Sequence, residues 1–167
     1  MMVANELPVN LVAALAPRLM PQPTEWLPPK LYDQSRVTDF TITTDDPNWM
    51  HKPNAKVKGV GGPIMPALMQ LSIVNALLPG GIESVFSGYD IMFRQVQQFR
   101  TKRAFPIGKA MQLRYRIAAL GCDVGGQLYA VIEFDVRIAP PDQKVCASGI
   151  LEFYINEPVE DVKQAAE

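Results

Sequence analysis

The sequence holds a single histidine, His51, in 167 residues. Any reaction that needs an imidazole must use that one. It has only two cysteines, Cys122 and Cys146, and they match no metal-ligand spacing. A disulfide-stapled scaffold is therefore excluded. Parity still allows one disulfide; two buried free thiols in a reducing cytosol are the expected alternative. Basic excess is also missing. Lys and Arg number 16 against 17 Asp and Glu, which argues against a nucleic-acid partner. The N-terminus has no basic n-region, and Glu6 precedes the mild apolar stretch Leu11 to Leu15, so no secretory signal is visible. No apolar run reaches the roughly 18 residues of a membrane span; 64–78 comes nearest, interrupted by Gln70 and Asn75. These absences set the expectation: soluble and cytoplasmic, with no metal site, no nucleic acid and no membrane.

What is present is globular. The hydrophobic fraction is 48% and the charged fraction 20%, enough to bury a core without staples. Residues 1–33 read as an N-terminal proline-rich arm. A short amphipathic helix is expected from about Val9 to Ala16. Pro17, Pro21, Pro23, Pro28 and Pro29 then exclude a long element. The rest of the arm is either laid across the domain with Trp26 and Leu27 as anchors, or loosely ordered. Residues 34–156 form the domain, and 157–167 a charged C-terminal tail.

Within the domain, Ser35 is a candidate cap for a short helix from Arg36 to about Thr43, with a strand as the alternative. Pro47 pushes Asp46 out of the α region, so that element must end near Asp45. Asp46-Pro47-Asn48-Trp49-Met50-His51 is then a loop bracketed by Pro47 and Pro53. Positions i and i+5 on a continuous helix lie about 140° apart. Across a turn, Asp46 and His51 can converge.

After Gly61-Gly62-Pro63 comes an apolar helix over 64–78, apolar nearly all round and so expected in the core. Pro66 suits its first turn, and Pro79-Gly80-Gly81 should stop it. The period then switches from 3.6 to 2. Strands are expected over 85–96 and 111–117. A third has Leu128, Ala130, Ile132, Phe134, Val136 and Ile138 on one face. A fourth runs over 145–155 with Ala147, Gly149, Leu151 and Phe153 on one side. The class is α+β: one long buried helix wrapped by an antiparallel sheet.

The pattern D-x-N-x-x-H, as Asp46, Asn48 and His51, resembles the signature of the MaoC-like dehydratases. These include the (R)-specific enoyl-CoA hydratases, where the motif usually runs S-G-D-x-N-P-[ILV]-H. Thr44-Asp45 stand at the usual Ser-Gly, Trp49 at the usual Pro, and Pro66-Ala67 at the His-Gly that opens the helix. The resemblance covers about residues 35 to 156. It implies a hot-dog fold and a hydratase or dehydratase interconverting a 3-hydroxyacyl thioester and its trans-2-enoyl thioester. Asp46 and His51 would be the catalytic pair that holds and activates water. Ala67 and Leu68 would offer backbone N–H groups to the thioester oxygen. Asn48, Trp49 and Met65 would support the site. No metal or separate cofactor is implied; coenzyme A or the phosphopantetheine of an acyl carrier protein is part of the substrate. A homodimer or larger homo-oligomer is expected. Arg94, Arg100, Lys102, Arg103 and Lys109 either meet the carrier's phosphates or form a solvated strand end. Met65, Met69, Met92 and Met111 either shape an acyl tunnel or fill the core. A hot-dog thioesterase and a non-catalytic acyl-thioester-binding subunit are the rival functions.

Overall fold

Alternating burial shapes the domain. The computed structural model describes residues 9 to 157. Residues 1–8, the first part of the arm, and 158–167, most of the charged tail, lie outside the described residues. Strands β1 (Lys30–Leu31), β2 (Asp90–Thr101), β3 (Ala110–Cys122), β4 (Leu128–Ile138) and β5 (Val145–Asn156) form one antiparallel sheet. Its order is β1-β3-β4-β5-β2. Along β4 every second residue from Leu128 to Ile138 is buried, as the period-2 pattern predicts. The opposite face is polar. There Arg114 meets Asp135 at 2.8 Å and Arg116 meets Glu133 at 2.7 Å, each pair directly cross-strand.

The helices are α1 (Val9–Leu15), α2 (Gln34–Thr43) and α3 (Ala67–Val85). The cap of α2 is Asp33, not Ser35. Asp33 has the extended backbone a cap needs, and its carboxylate accepts from the Arg36 N–H at 3.1 Å. Ser35 lies one residue inside the helix.

Helix α3 departs from expectation twice. It does not stop at Pro79-Gly80-Gly81 but runs to Val85, so β2 starts at Asp90 and not at Val85. An interior proline costs about 3 kcal/mol. Past it, Ile82 and Phe86 continue the four-residue spacing of Val74 and Leu78, and all four are fully buried. Gly80 and Gly81 add about 1 kcal/mol each, and burying a side chain of the size of Ile82 or Phe86 contributes about 1.5–3 kcal/mol, so the two together offset a cost of the same order. Nor is α3 buried all round. By length and apolarity alone it could cross a membrane, and 40% of it is buried. The Val74–Phe86 stripe faces the sheet, while Ala67, Leu68, Ser72, Ala76 and Glu83 are exposed.

Residues 20–27 of the arm run along β3. The N–H groups of Met20, Thr24 and Leu27 donate to Ile117, Tyr115 and Leu113 at 3.0, 2.8 and 2.8 Å. Trp26 sits against the guanidinium groups of Arg114 and Arg137, at 4.7 and 4.1 Å. One long edge of the sheet is thereby covered. Among the described residues no strand pairs with the other edge, β2, which exposes Met92, Phe93 and Val96. Cys122 and Cys146 are both free thiols; burial pushes the Cys146 thiol up from its ordinary range.

Candidate active site

Helix α2 ends in a motif that aims the next residues. The Asp46 N–H donates to Thr41 at 2.9 Å and the Asp45 N–H to Ile42 at 3.2 Å. This is the Schellman arrangement, which needs a left-handed residue, here Asp45 at φ 49°. Glycine suits that conformation best, and Asp45 stands where the resembled motif has its Gly. We expect Asp45→Gly to stabilise the fold by up to about 1 kcal/mol, read as a higher urea midpoint at unchanged slope.

The loop that follows is held by its own side chains. Asp46 Oδ1 accepts from the Asn48 N–H at 3.0 Å. Asn48 Oδ1 accepts from the Met50 N–H at 3.2 Å and opens a 3₁₀ turn, Trp49–His51. Gln34 on α2 donates to the His51 carbonyl at 2.8 Å. His51 is 8% exposed, and its Nδ1 lies 2.6 Å from the Ile64 carbonyl. A carbonyl only accepts, so Nδ1 carries a proton. In the neutral ring Nε2 is then a lone pair. It faces Asp46 Oδ2 at 3.5 Å. Carboxylate and lone pair are both acceptors, and a water between them would satisfy both by donating one O–H to each.

The same loop fixes the start of α3. Ile64, whose carbonyl orients His51, donates its N–H to Met50 at 3.0 Å. Met65 donates to Phe105 at 2.8 Å. Pro66 has an extended ψ of 141° and is the cap, not the first helical residue; Ala67 takes that place. Gln70 N–H to Pro66 O, at 3.1 Å, is the first helical bond. The N–H groups of Ala67, Leu68 and Met69 therefore have no acceptor within the helix. Donors and positive dipole end together favour an anionic oxygen.

Two cavities meet at this loop. One, of about 470 Å³, is lined by Asn48, His51, Met65, Ala67, Gln70 and the segment 101–104. The other, of about 490 Å³, lies on the α2 side and is lined by Asp46, Asn48, His51 and Thr38 among others. Of the residues predicted for the site, Asp46, His51, Asn48, Met65 and Ala67 come together. Trp49 is 57% exposed and lines neither cavity, and the Leu68 side chain is 67% exposed. Arg94 is not at the site. It pairs with buried Glu152 on the outer face and stacks over Tyr129 at 4.3 Å. Lys102 and Arg103 do stand at the cavity mouth. Met69 and Met111 are core and Met92 is 53% exposed, so of the four methionines only Met65 lines the cavity beside His51. Among the described residues no three His, Cys, Asp or Glu cluster as metal ligands. Gln34 and Gln70 were not singled out from sequence; only their spacing on α2 and α3, toward His51 and Ala67, marked them.

No protein-family model matches the chain, and no curated protein matches it. Solved structures do. An (R)-hydratase from A. caviae involved in PHA biosynthesis is 17% identical with a TM-score of 0.64; the match covers 82% of this chain and 95% of that one. The chain has the hot-dog fold. A MaoC-like dehydratase is 16% identical with a TM-score of 0.68, over 85% of this chain and 43% of that one. The HadBC (3R-hydroxyacyl-ACP dehydratase) complex from Mycobacterium tuberculosis is 11% identical with a TM-score of 0.61, over 83% and 93%. In the hot-dog domain described here, α3 is the central helix, and its N-terminus and the Asp46–His51 loop lie at the same end.

Proposed function

We propose that this hot-dog domain hydrates a trans-2-enoyl thioester to the 3-hydroxyacyl thioester and catalyses the reverse dehydration. The observation that carries this is Asp46 and His51 at 3.5 Å, with Nδ1 held by Ile64, beside the free N–H groups of α3. One O–H bond of the held water breaks as its oxygen bonds the β-carbon, and the pair takes that proton. The thioester oxygen carries enolate charge against the Ala67 and Leu68 N–H groups. A proton from the pair then bonds the α-carbon as the enolate collapses. The chemistry asks for no cofactor; coenzyme A or phosphopantetheine enters as part of the substrate. Lys102 and Arg103 at the mouth suit the phosphates of either carrier, free or on an acyl carrier protein. The free thiols of Cys122 and Cys146 suit a reducing cytoplasm.

The test is loss of enoyl absorbance with crotonyl-CoA. Hydrolysis would remove the same band, so release of free thiol, read with a colorimetric reagent, would replace hydratase by thioesterase. Binding without either chemistry would leave an acyl-thioester-binding subunit.

The uncovered β2 edge and the open face of α3 support a homodimer. Light scattering after size exclusion should give twice the chain mass at every concentration tried. Phe93→Lys, which puts charge on that edge, should shift the mass toward one chain. A single-chain mass for the wild type would overturn the dimer.

A further inference from the structure

The net charge of the chain is only −1, yet its charges are sorted along the sequence. Residues 47–82 and 91–122 contain no Asp or Glu. The fold lays parts of these two segments side by side. Met65 donates its N–H to Phe105 at 2.8 Å, Ile107 donates to Pro63 at 3.1 Å, and Ile64 bridges Pro106. Val57 donates to Gly62 at 3.2 Å, which folds the loop 56–62 back toward this junction. Lys52, Lys56, Lys58, Arg100, Lys102 and Arg103 are all exposed on the joined segments. Other cations of the same segments are matched: Arg94, Lys109, Arg114 and Arg116 each face a carboxylate. Among the described residues none of the six exposed ones forms an ion pair.

Like charges gathered without counter-charges repel one another and do nothing for the fold; what they do is attract a partner of opposite sign. These adjoin the site. Lys102 and Arg103 line the cavity beside His51, and Lys52 follows His51 in the chain. Large apolar side chains are exposed at the same end. Trp49, two residues before His51, is 57% exposed, and Leu68, next to Ala67, is 67% exposed. A free nucleotide gathers its phosphates at one spot, and Lys102 and Arg103 are placed to meet them. Lys56 and Lys58, on the neighbouring loop, are then left without a role, as are Trp49 and Leu68. A protein partner engages all of these, since a standard interface covers about 800 Å² per side and combines aromatic anchors with a polar rim. We propose that the thioester arrives on an acidic carrier protein that docks on this basic surface, and not as free coenzyme A. This rests on the hydratase reading and names the partner of that site.

The experiment offers one crotonyl group in three forms: on pantetheine, which has no phosphate, on coenzyme A, and on an acidic bacterial acyl carrier protein. The wild type should use the carrier-bound form about tenfold or more better than the coenzyme A form in kcat/KM, and added salt should erode that advantage. The double variant Lys56→Glu/Lys58→Glu changes two exposed side chains that line neither cavity, and a circular dichroism melt checks its fold. It should lose about tenfold or more in kcat/KM for the carrier-bound form and stay within about threefold for the other two at physiological salt. Calorimetric binding of the butyryl-loaded carrier reads docking without turnover. Equal or better use of the coenzyme A form by the wild type, or equal proportional losses for both forms in the variant, overturns the carrier inference and leaves the hydratase reading standing. Wild-type retention on anionic phosphatidylglycerol vesicles that the variant loses, with carrier-bound turnover unchanged, overturns it in favour of a membrane surface. Absent turnover of all three forms, with carrier binding that the variant weakens, sinks the hydratase reading instead and keeps the docking surface.

Discussion

Asp46→Asn should slow hydration of a short enoyl thioester by about 10²–10⁴-fold and leave the fold intact. The two side chains have the same shape, and the amide oxygen can still accept from the Asn48 N–H, so the loop keeps its anchor. What changes is the face toward His51. If the amide NH₂ turns there, it donates to Nε2 and consumes the lone pair that would take the water's proton. His51→Ala should fall in the same range. It also leaves the Ile64 carbonyl without its partner, at a cost of about 1–3 kcal/mol in stability. The double variant should be no slower than the slower single one, because two groups that hold one water act as a unit. Enoyl absorbance reads the rates, and a circular dichroism melt checks that each variant is folded. More than a tenth of wild-type activity in either folded single variant would sink the assignment.

Where the sequence was legible, burial had a period. The third strand was readable residue by residue, because each inward side chain alternates with an outward one from Leu128 to Ile138. The turn that lets Asp46 meet His51 was readable because Pro47 restricts its neighbour. The end of α3 was misread because Pro79-Gly80-Gly81 is a strong local signal, and burial of Ile82 and Phe86 overrode it. Asp33 was missed as a cap because Ser35 has the same hydrogen-bonding capacity; only backbone dihedrals separate them. Arg94 was grouped with Lys102 and Arg103 by sequence proximity. The register shift between Phe93 and Gln95 leaves Arg94 out of the pairing with β5, and its side chain meets Glu152 on the outer face.

Ala67→Pro should lower kcat by about 10²–10³-fold while hardly moving the melting temperature. The first helical position is where proline is best tolerated, since its missing N–H has no helical acceptor to lose. Ala67 holds that position, and the preceding residue, Pro66, already has the extended conformation that a following proline demands. Ala67 is also exposed, so the ring has room. The substitution therefore deletes one backbone donor and little else. If that N–H holds the enolate oxygen, the loss is about 3–4 kcal/mol of barrier, expressed in kcat because the charge develops only in the transition state. Ala67→Gly keeps the donor and should keep kcat within a few fold. A proline variant that folds and turns over like the wild type would take the oxyanion role away from Ala67 and leave it to the neighbouring N–H groups of Leu68 and Met69.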